Sequence, residues 1–412
     1  MSKKTFYTCC FLFILLVFTS CSASYKKGQF GHDLAFLKKY TSPVVIESKD
    51  KKAQVIICPE YQGRVMTSTA GGMSGMSYGW INYELIKSGK ILEQFNPFGG
   101  EDRFWMGPEG GQYGVFFEQG NPFDWDHWQP PAPFDKDTFK LESQDRQKAV
   151  FSHDFSLKNY SGTKFSVHLD RTIHLLDRSN MENNLGITLA KELKTVAFQS
   201  SNKVQNIGQT AWKKESGLLS TWILGVFMPS PTNKVFIPLR DAKKYSLDSI
   251  VNTGYYWNVS GEQLTRSGNM VFFKADGDYQ CKIGIPPRFA SGITGSYDPV
   301  NQLLTLVKYS FQKKPLPYVN SVLKLQEKPY RGDVMHFYND GIPIGGTDQY
   351  GPFYEIETSS PALSLKPGES YVHVHTTYHF QGPREALSDI VKKLFRIELK
   401  TISNAFIKKP IE

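Results

Sequence analysis

The strongest constraint on the fold is a period-two alternation of apolar and polar side chains. Along residues 165–175 the odd positions carry Phe, Val, Leu, Arg, Ile and Leu, whereas the even positions are polar. A strand with one buried face produces this pattern because its successive side chains point to opposite faces. Shorter runs of strand-forming residues recur at 55–58, 115–117, 196–198, 222–227, 271–273, 303–311, 353–356 and 371–380. We therefore expect a chain built largely from strands.

Helical spacing of apolar residues is rare by comparison. Its clearest occurrence is at residues 383–399, behind a proline suited to a first helical turn. Five apolar residues there would share one face: Leu387, Ile390, Val391, Leu394 and Phe395. A weaker pattern covers residues 32–39. Because strands dominate without a strand–helix–strand rhythm, the sequence predicts an all-β fold, a large antiparallel sandwich with a short C-terminal helix.

The first residues resemble a secretory signal. Lys3 and Lys4 precede an apolar run at 11–18, which is too short to span a bilayer and is followed by Thr19, Ser20 and Cys21. A cysteine after small residues resembles a bacterial lipobox, although residue 18 is Phe where Leu is usual. Either Cys21 carries lipid or a plain signal peptide is cut nearby. Both alternatives place the protein outside the cytoplasm, in the bacterial cell envelope.

We accordingly predict a lipoprotein signal peptide at 1–20, a tether at 21–30 and a single β domain at 31–400, since no flexible linker interrupts that range. The expected membrane contact is the lipid on Cys21 alone. Beyond it the remaining cysteines are Cys58 and Cys281, both in apolar stretches. One disulfide or two buried thiols would fit these surroundings equally well.

The positive charge of the chain is dispersed. The 412 residues include 48 Lys and Arg against 39 Asp and Glu, a net charge of +9. The lysines occur in scattered pairs, such as Lys26-Lys27 and Lys313-Lys314, and not in one stripe. Scattered pairs are typical of solvated surface, so no nucleic-acid partner is predicted.

The most unusual segment is a glycine-rich stretch at residues 98–112, which contains Arg103, Trp105 and Glu109. Glycines let the backbone approach a ligand closely, and arginine, tryptophan and carboxylates supply the contacts that sugars need. The stretch lacks the Lys-Ser/Thr ending of a phosphate-binding loop and the glycine fingerprint of a dinucleotide-binding site, so we predict no cofactor. Trp128 follows in an aromatic stretch at 123–128, and indoles suit the mixed surface of a pyranose ring. The sequence predicts a carbohydrate site here, although each aromatic alone could equally be core.

Two carboxylates share one strand of the second informative region. Glu355 and Glu357 would lie on the same face, roughly 7 Å apart, close enough to perturb each other and to serve one ligand. The alternative is that one is solvated and the other pairs with an arginine.

The order of motifs around Glu357 resembles the C-terminal end of galactose mutarotase-like (aldose 1-epimerase superfamily) proteins. It comprises Glu357-Thr358, Pro361-Ala362, a Pro-Gly-Glu-Ser turn at 367–370 and a final strand ending at 378–380. The early Gly-Arg-Val at 63–65 resembles the early Gly-Arg-Ile strand of the same superfamily. The stretch at 99–105 is similar to a branch of it that is often found as secreted Bacteroidetes lipoproteins. The resemblance implies a β-supersandwich with Glu357 as catalytic base, and with Arg64, Arg103 and Glu355 contacting sugar oxygens.

One departure from that superfamily concerns the catalytic acid. Its epimerases carry a histidine on a central strand, whereas the corresponding region here, 206–225, has none. His336 is the candidate acid, because it shortly precedes the glutamate strand and imidazole titrates near neutral pH. A structural histidine is the alternative. His373, His375 and His379 share one face of the last strand, a zinc-ligand spacing, but one strand cannot supply a complete site and no metal is predicted.

Two functions remain open from the sequence. The first is an enzyme acting at a sugar anomeric centre, with Glu357 as base and with Trp105 and Trp128 stacking on the ring. The second is a non-catalytic glycan-binding lipoprotein that has lost the acid.

Overall fold

The computed structural model describes residues 24–255, 259, 261–342 and 349–407. Cys21 and the predicted signal peptide lie outside them, so lipid attachment stays a prediction.

The strands are β1 (Val44–Glu47), β2 (Gln54–Cys58), β3 (Arg64–Thr69), β4 (Arg103–Gly107), β5 (Lys140–Gln144), β6 (Lys148–Lys158), β7 (Lys164–Leu175), β8 (Lys194–Asn206), β9 (Ser220–Phe227), β10 (Lys234–Pro238), β11 (Leu264–Ser267), β12 (Met270–Lys274), β13 (Cys281–Ile285), β14 (Ile293–Asp298), β15 (Leu303–Tyr309), β16 (Met335–Asp340), β17 (Phe353–Ser359) and β18 (Ser370–Gln381). The helices are α1 (Phe30–Leu37), α2 (Tyr83–Ser88), α3 (Ala132–Asp135), α4 (Arg178–Leu185), α5 (Leu247–Ile250), α6 (Arg384–Phe395) and α7 (Leu399–Ser403). Among the described helices, none has the length and apolar character to cross a bilayer.

The strands form three sheets in the described part of the chain. A ten-stranded sheet has the order β11-β12-β10-β14-β15-β18-β8-β7-β6-β5, a five-stranded sheet has the order β13-β16-β17-β9-β4, and β1-β2-β3 form a third. All named strand pairs are antiparallel. The predicted all-β antiparallel sandwich with a short C-terminal helix is therefore confirmed.

The alternating pattern of β7 sets its packing. Its odd residues from 165 to 175 are buried and its even ones are partly exposed, as one-sided burial requires. On the outer side of the ten-stranded sheet, α6 packs Leu387 and Ile390 in one apolar cluster with Tyr378 and Phe380 of β18. The largest sheet thus has a helix on one side and the sandwich interior on the other.

The strand predicted at 115–117 is wrong, because these residues lie in a loop. Their apolar character has another cause, since all three are buried in the core. Phe116 packs on Trp105 and Trp128, with ring centroids 5.0 and 5.6 Å apart. A short apolar run indicates that its residues are buried, but it does not show whether they form a strand or a loop.

The sandwich interior contains polar groups with partners in both sheets. Arg171 of β7 forms an ion pair with Asp102, and neither side chain has exposed surface. His373 and His375 of β18 both bond to the hydroxyl of Thr358 on β17. His379 bonds through Nε2 to Glu101 at 2.7 Å. His373 and His375 thus link two sheets, and His379 links β18 to the segment that precedes β4.

Cys58 and Cys281 are both free and buried. Burial raises the pKa of each thiol to about 12. Of the two alternatives left open by the sequence, the structure therefore has two buried thiols.

Candidate functional site

The five-stranded sheet gathers polar side chains on one face. His336 of β16 pairs directly with Glu357 of β17 in one row of residues that runs across the sheet. The row two residues further along these strands contains Lys282 of β13 and Glu355 of β17. Arg103 joins the first row from β4 at the other edge of the sheet. Residues two apart on a strand share a face, so these five side chains project to the same side.

The intervening residues form the apolar side of the same sheet. Ile283, Phe337 and Ile356 are fully buried in one core cluster. Both faces of these strands are buried, which is why the polar positions appear in stretches that otherwise read as continuous apolar runs.

Glu357 lies at the centre of the polar face and is completely buried. Trp222 Nε1 donates a hydrogen bond of 2.8 Å to its Oε2, and Lys282 Nζ lies 3.3 Å from its Oε1. Burial alone would raise the pKa of Glu357, but the positive charge of Lys282 and the hydrogen bonds from Glu355 and Trp222 lower it. Glu357 is therefore a carboxylate at neutral pH.

The pKa of Glu355 is shifted in the opposite direction, upward. Its Oε1 lies 3.3 Å from Arg103 Nη2, whose guanidinium also lies over the Trp105 ring at 4.3 Å. Burial first, and the negative charge of Glu357 second, raise the pKa of Glu355 to about 8 despite Arg103. At pH 7 the strand therefore carries one protonated and one ionised carboxyl side by side, a pair able to give one proton and accept another.

His336 lies next to this pair but does not titrate near neutrality as the sequence led us to expect. Its Nδ1 is 3.8 Å from Glu357 Oε2, is buried, and makes no hydrogen bond to the described residues. Burial lowers its pKa to about 4, an effect that the negative charge of Glu357 only partly opposes. The imidazole is therefore neutral under ordinary conditions and holds no spare proton.

A glycine makes room beside His336. Gly284 pairs with it across the strands, and a Cβ at Gly284 would lie 2.2 Å from Asp333 Oδ2 and 2.8 Å from the Tyr255 hydroxyl. That hydroxyl donates a 2.6 Å bond to Asp333, and Asn252 donates a 2.7 Å bond to the same oxygen. Any larger residue would displace the Tyr255 ring, which packs edge-on against His336.

An aromatic pocket opens above this face, with a cavity volume of about 80 Å³. Its walls include eight aromatic residues: Phe95, Trp105, Trp125, Trp128, Trp222, Tyr338, Tyr350 and Phe353. Four charged residues lie among its lining: Arg103, Glu109, Lys282 and Glu355. Glu109 accepts a 2.8 Å hydrogen bond from Trp128 Nε1, which ties the two loops of the pocket together. Aromatic faces combined with a few polar groups are the usual composition of a small-molecule site.

The structure thus brings most of the predicted site residues together. Arg103, Trp105, Glu109, Trp128 and Glu355 line the pocket. Glu357 and His336 lie on the same sheet face but not in the lining, with Trp222 and Lys282 next to the Glu357 carboxylate.

Arg64 is not brought to the pocket. Its side chain is fully buried and donates to the main-chain oxygens of Gly99 and Tyr61 and to Gln62 Oε1, at 2.9, 3.3 and 2.7 Å. With these partners it anchors the backbone at Gly99, close to the start of the glycine-rich stretch.

Sequence reasoning missed Lys282 and Trp222, the two residues in contact with the Glu357 carboxylate. Lys282 had a detectable signal, since it is a lone charged residue inside the otherwise apolar strand at 281–285. Trp222 had none, because an indole in an apolar strand is usually core.

Comparisons with known proteins concern the fold and the family. The profile of a family described as "Family of unknown function (DUF6786)" matches residues 28–406. No curated protein sequence matches the chain. The protein Slr1438 of Synechocystis sp. PCC 6803 is similar in structure, with a TM-score of 0.50, 11% identity, and coverage of 83% of this chain and 96% of that one. At such an identity the likeness is one of fold alone.

Two further solved structures have lower scores. A galactose mutarotase-like protein from Lactobacillus casei has a TM-score of 0.46 at 11% identity, covering 82% of this chain and 100% of its own. A galactose mutarotase related enzyme from Lactobacillus acidophilus has a TM-score of 0.43 at 12% identity, covering 83% and 98%.

Proposed function

We propose that this chain, which belongs to the DUF6786 family, is a carbohydrate-active protein that transfers protons at a sugar anomeric centre in the manner of an aldose epimerase. The observation that carries the proposal is a pair of glutamates on one strand, of which Glu355 lines the aromatic pocket and Glu357 lies buried next to it. Glu355 has a raised pKa and lines the pocket, and Glu357 next to it has a lowered pKa. Paired groups with pKa values moved apart are typical of acid–base catalysis.

The proposed reaction uses one carboxyl as base and the other as acid. Glu357 accepts the proton of the anomeric hydroxyl while the bond between the anomeric carbon and the ring oxygen breaks. Glu355 gives its proton to the ring oxygen, which leaves an open-chain aldehyde, a neutral Glu357 and an ionised Glu355. Reclosure on the other face of the aldehyde reverses both transfers and restores the pair.

Other residues of the pocket have supporting roles in this proposal. Arg103 and Lys282 donate to sugar oxygens, and Trp105 and Trp128, which are 3% and 5% exposed, supply apolar lining to the pocket. We assign the acid to Glu355 because His336, with its pKa lowered to about 4, is neutral at pH 7.

A non-catalytic glycan-binding protein is the second candidate. It is favoured by the complete burial of Glu357, whose carboxylate does not line the pocket. For catalysis a sugar hydroxyl would have to reach past Trp222 or Lys282. A binding protein would need only the groups that already line the pocket.

Polarimetry on freshly dissolved D-glucose, D-galactose, D-xylose and L-arabinose distinguishes the candidates. We expect the protein to accelerate mutarotation of at least one of these sugars at pH 7. The acceleration should decline as pH rises through about 8, because Glu355 then loses the proton that it donates. Calorimetric binding without acceleration would favour the second candidate, and neither binding nor acceleration would contradict both.

The proposed setting is the bacterial cell envelope, with lipid on Cys21. Mass spectrometry of membrane-extracted protein should find an acylated Cys21 as the mature N-terminal residue. A chain recovered unmodified from the soluble periplasm would contradict the anchor, while leaving the pocket chemistry unaffected.

A further inference from the structure

The pocket above the glutamates is small for a sugar. Its cavity volume is about 80 Å³. Established ligand pockets hold about 300–1,000 Å³. Only one edge of a sugar therefore enters this pocket, and the remainder of the ligand must lie elsewhere on the surface.

Two larger depressions adjoin the pocket. One, of about 770 Å³, shares Trp128 with it and continues past Phe117 to Asn159. The other, of about 270 Å³, shares Trp125 with it and continues past Tyr255 to Leu323. The two indoles thus stand where the central pocket meets its neighbours.

Trp125 and Trp128 form a stacked pair, with ring centroids 4.9 Å apart and planes inclined by 19°. Trp125 is 44% exposed, which leaves part of a large apolar surface in water. Its backbone is held in place, since Gln94 Nε2 donates to the main-chain oxygens of Trp125 and Trp128 at 2.5 and 3.0 Å. Asp124 caps the same turn by accepting from the His127 main-chain nitrogen. An exposed indole on a fixed turn offers a ready stacking surface.

The charges around the depressions are mixed. The larger one carries three carboxylates (Glu93, Glu118 and Asp126) and two lysines (Lys136 and Lys158). The smaller one carries Asp124 and Lys324. Neither depression has the cluster of cations that a sulfated or uronic-acid chain would need. Alternating donors and acceptors instead match the hydroxyls of an uncharged sugar.

We infer that the ligand is a neutral oligosaccharide of at least three units, which lies across the three depressions and stacks on Trp125 with one end at the glutamate pocket. This inference rests on the proposed function and adds the substrate class. It requires that affinity increase with chain length, because most of the contact area lies outside the central pocket.

The test is calorimetric titration with gluco-, galacto-, manno- and xylo-oligosaccharides of one to six units, and with oligogalacturonates of the same lengths, for the wild type and Trp125→Ala. We expect the trisaccharide of at least one series to bind ten-fold or more tighter than its monosaccharide. Trp125→Ala should weaken trisaccharide binding by about 10-fold or more, the effect of losing an aromatic anchor, and should remove most of the length dependence. Trp125→Phe, which keeps an aromatic face, should recover part of it.

The matched control is Tyr40→Ala, which removes an aromatic of similar exposure, 42%, that lines none of the three depressions. It should leave every affinity unchanged. Equal affinity for monosaccharides and their longer chains would overturn this inference and leave the proposed function standing. Tighter binding of oligogalacturonates than of neutral chains would overturn the neutral assignment. Absence of binding to every sugar would overturn both.

Discussion

Replacing Arg171 with methionine should lower the free energy of unfolding by about 3–5 kcal/mol, the scale of breaking a buried ion pair from one side. Arg171 donates to Asp102 Oδ1 at 2.5 Å, to Asn202 Oδ1 at 2.6 Å and to the main-chain oxygen of Gly63 at 3.0 Å. Neither Arg171 nor Asp102 is exposed to water. The variant would leave a carboxylate and several oxygens in the interior without their donor. Urea unfolding monitored by circular dichroism measures the loss.

A neighbouring pair supplies the control. Lys203 on β8 pairs with Asp170 on β7, but these side chains are 45% and 39% exposed. Lys203→Met should therefore cost only about 0–1 kcal/mol. The double variant Arg171→Met with Asp102→Leu should recover much of the stability, because no isolated charge remains. Equal losses for Arg171→Met and Lys203→Met would contradict the structural role given to the buried pair.

The second large effect concerns Glu357. If it is the general base, Glu357→Gln should reduce accelerated mutarotation by about 10²–10⁴-fold, the usual contribution of such a group. Sugar affinity should largely remain, because glutamine keeps the shape of the side chain and loses only the ability to accept the proton. Polarimetry gives the rate and calorimetry gives the affinity. Glu355→Gln should also lose most of the acceleration, because an amide cannot supply the proton that the ring oxygen needs.

Two controls separate chemistry from folding. Glu357→Gln leaves the buried ammonium of Lys282 without its partner, so the thermal unfolding of the variant must be compared with the wild type. Glu369→Gln changes a glutamate whose side chain is 49% exposed, at the turn before β18, and should alter neither rate nor affinity. A folded Glu357→Gln protein that retains the full acceleration would exclude Glu357 as the base.

The sequence predicted the fold class because side-chain alternation records one-sided burial directly, as in β7. It also predicted the grouping of Arg103, Trp105, Glu109 and Trp128, since these residues are close in sequence. The loop at 115–117 shows the limit of this reasoning, because burial of a short apolar run does not specify its backbone.

Contacts between distant strands were not predictable in the same way. Lys282 and Trp222 reach Glu357 only through the register of β13, β16, β17 and β9, which no local pattern encodes. The protonation of His336 likewise depends on its depth in the fold. Arg64 was assigned to the ligand through a resemblance of three residues, whereas its partners are two backbone oxygens and the side chain of Gln62.

The two edge strands of the ten-stranded sheet affect how readily the protein aggregates at high concentration. The outermost strand on one side, β5, is exposed at all five positions, and it carries Lys140 and Glu142. At the other end, Arg266 of β11 donates from its guanidinium to the main-chain oxygen of Ala242, which keeps a loop against that edge. Open sheet edges promote pairing between molecules, and charged side chains or a covering loop oppose it. In the described part of the chain, charged side chains at one edge of the largest sheet and a loop at the other therefore oppose strand-to-strand aggregation.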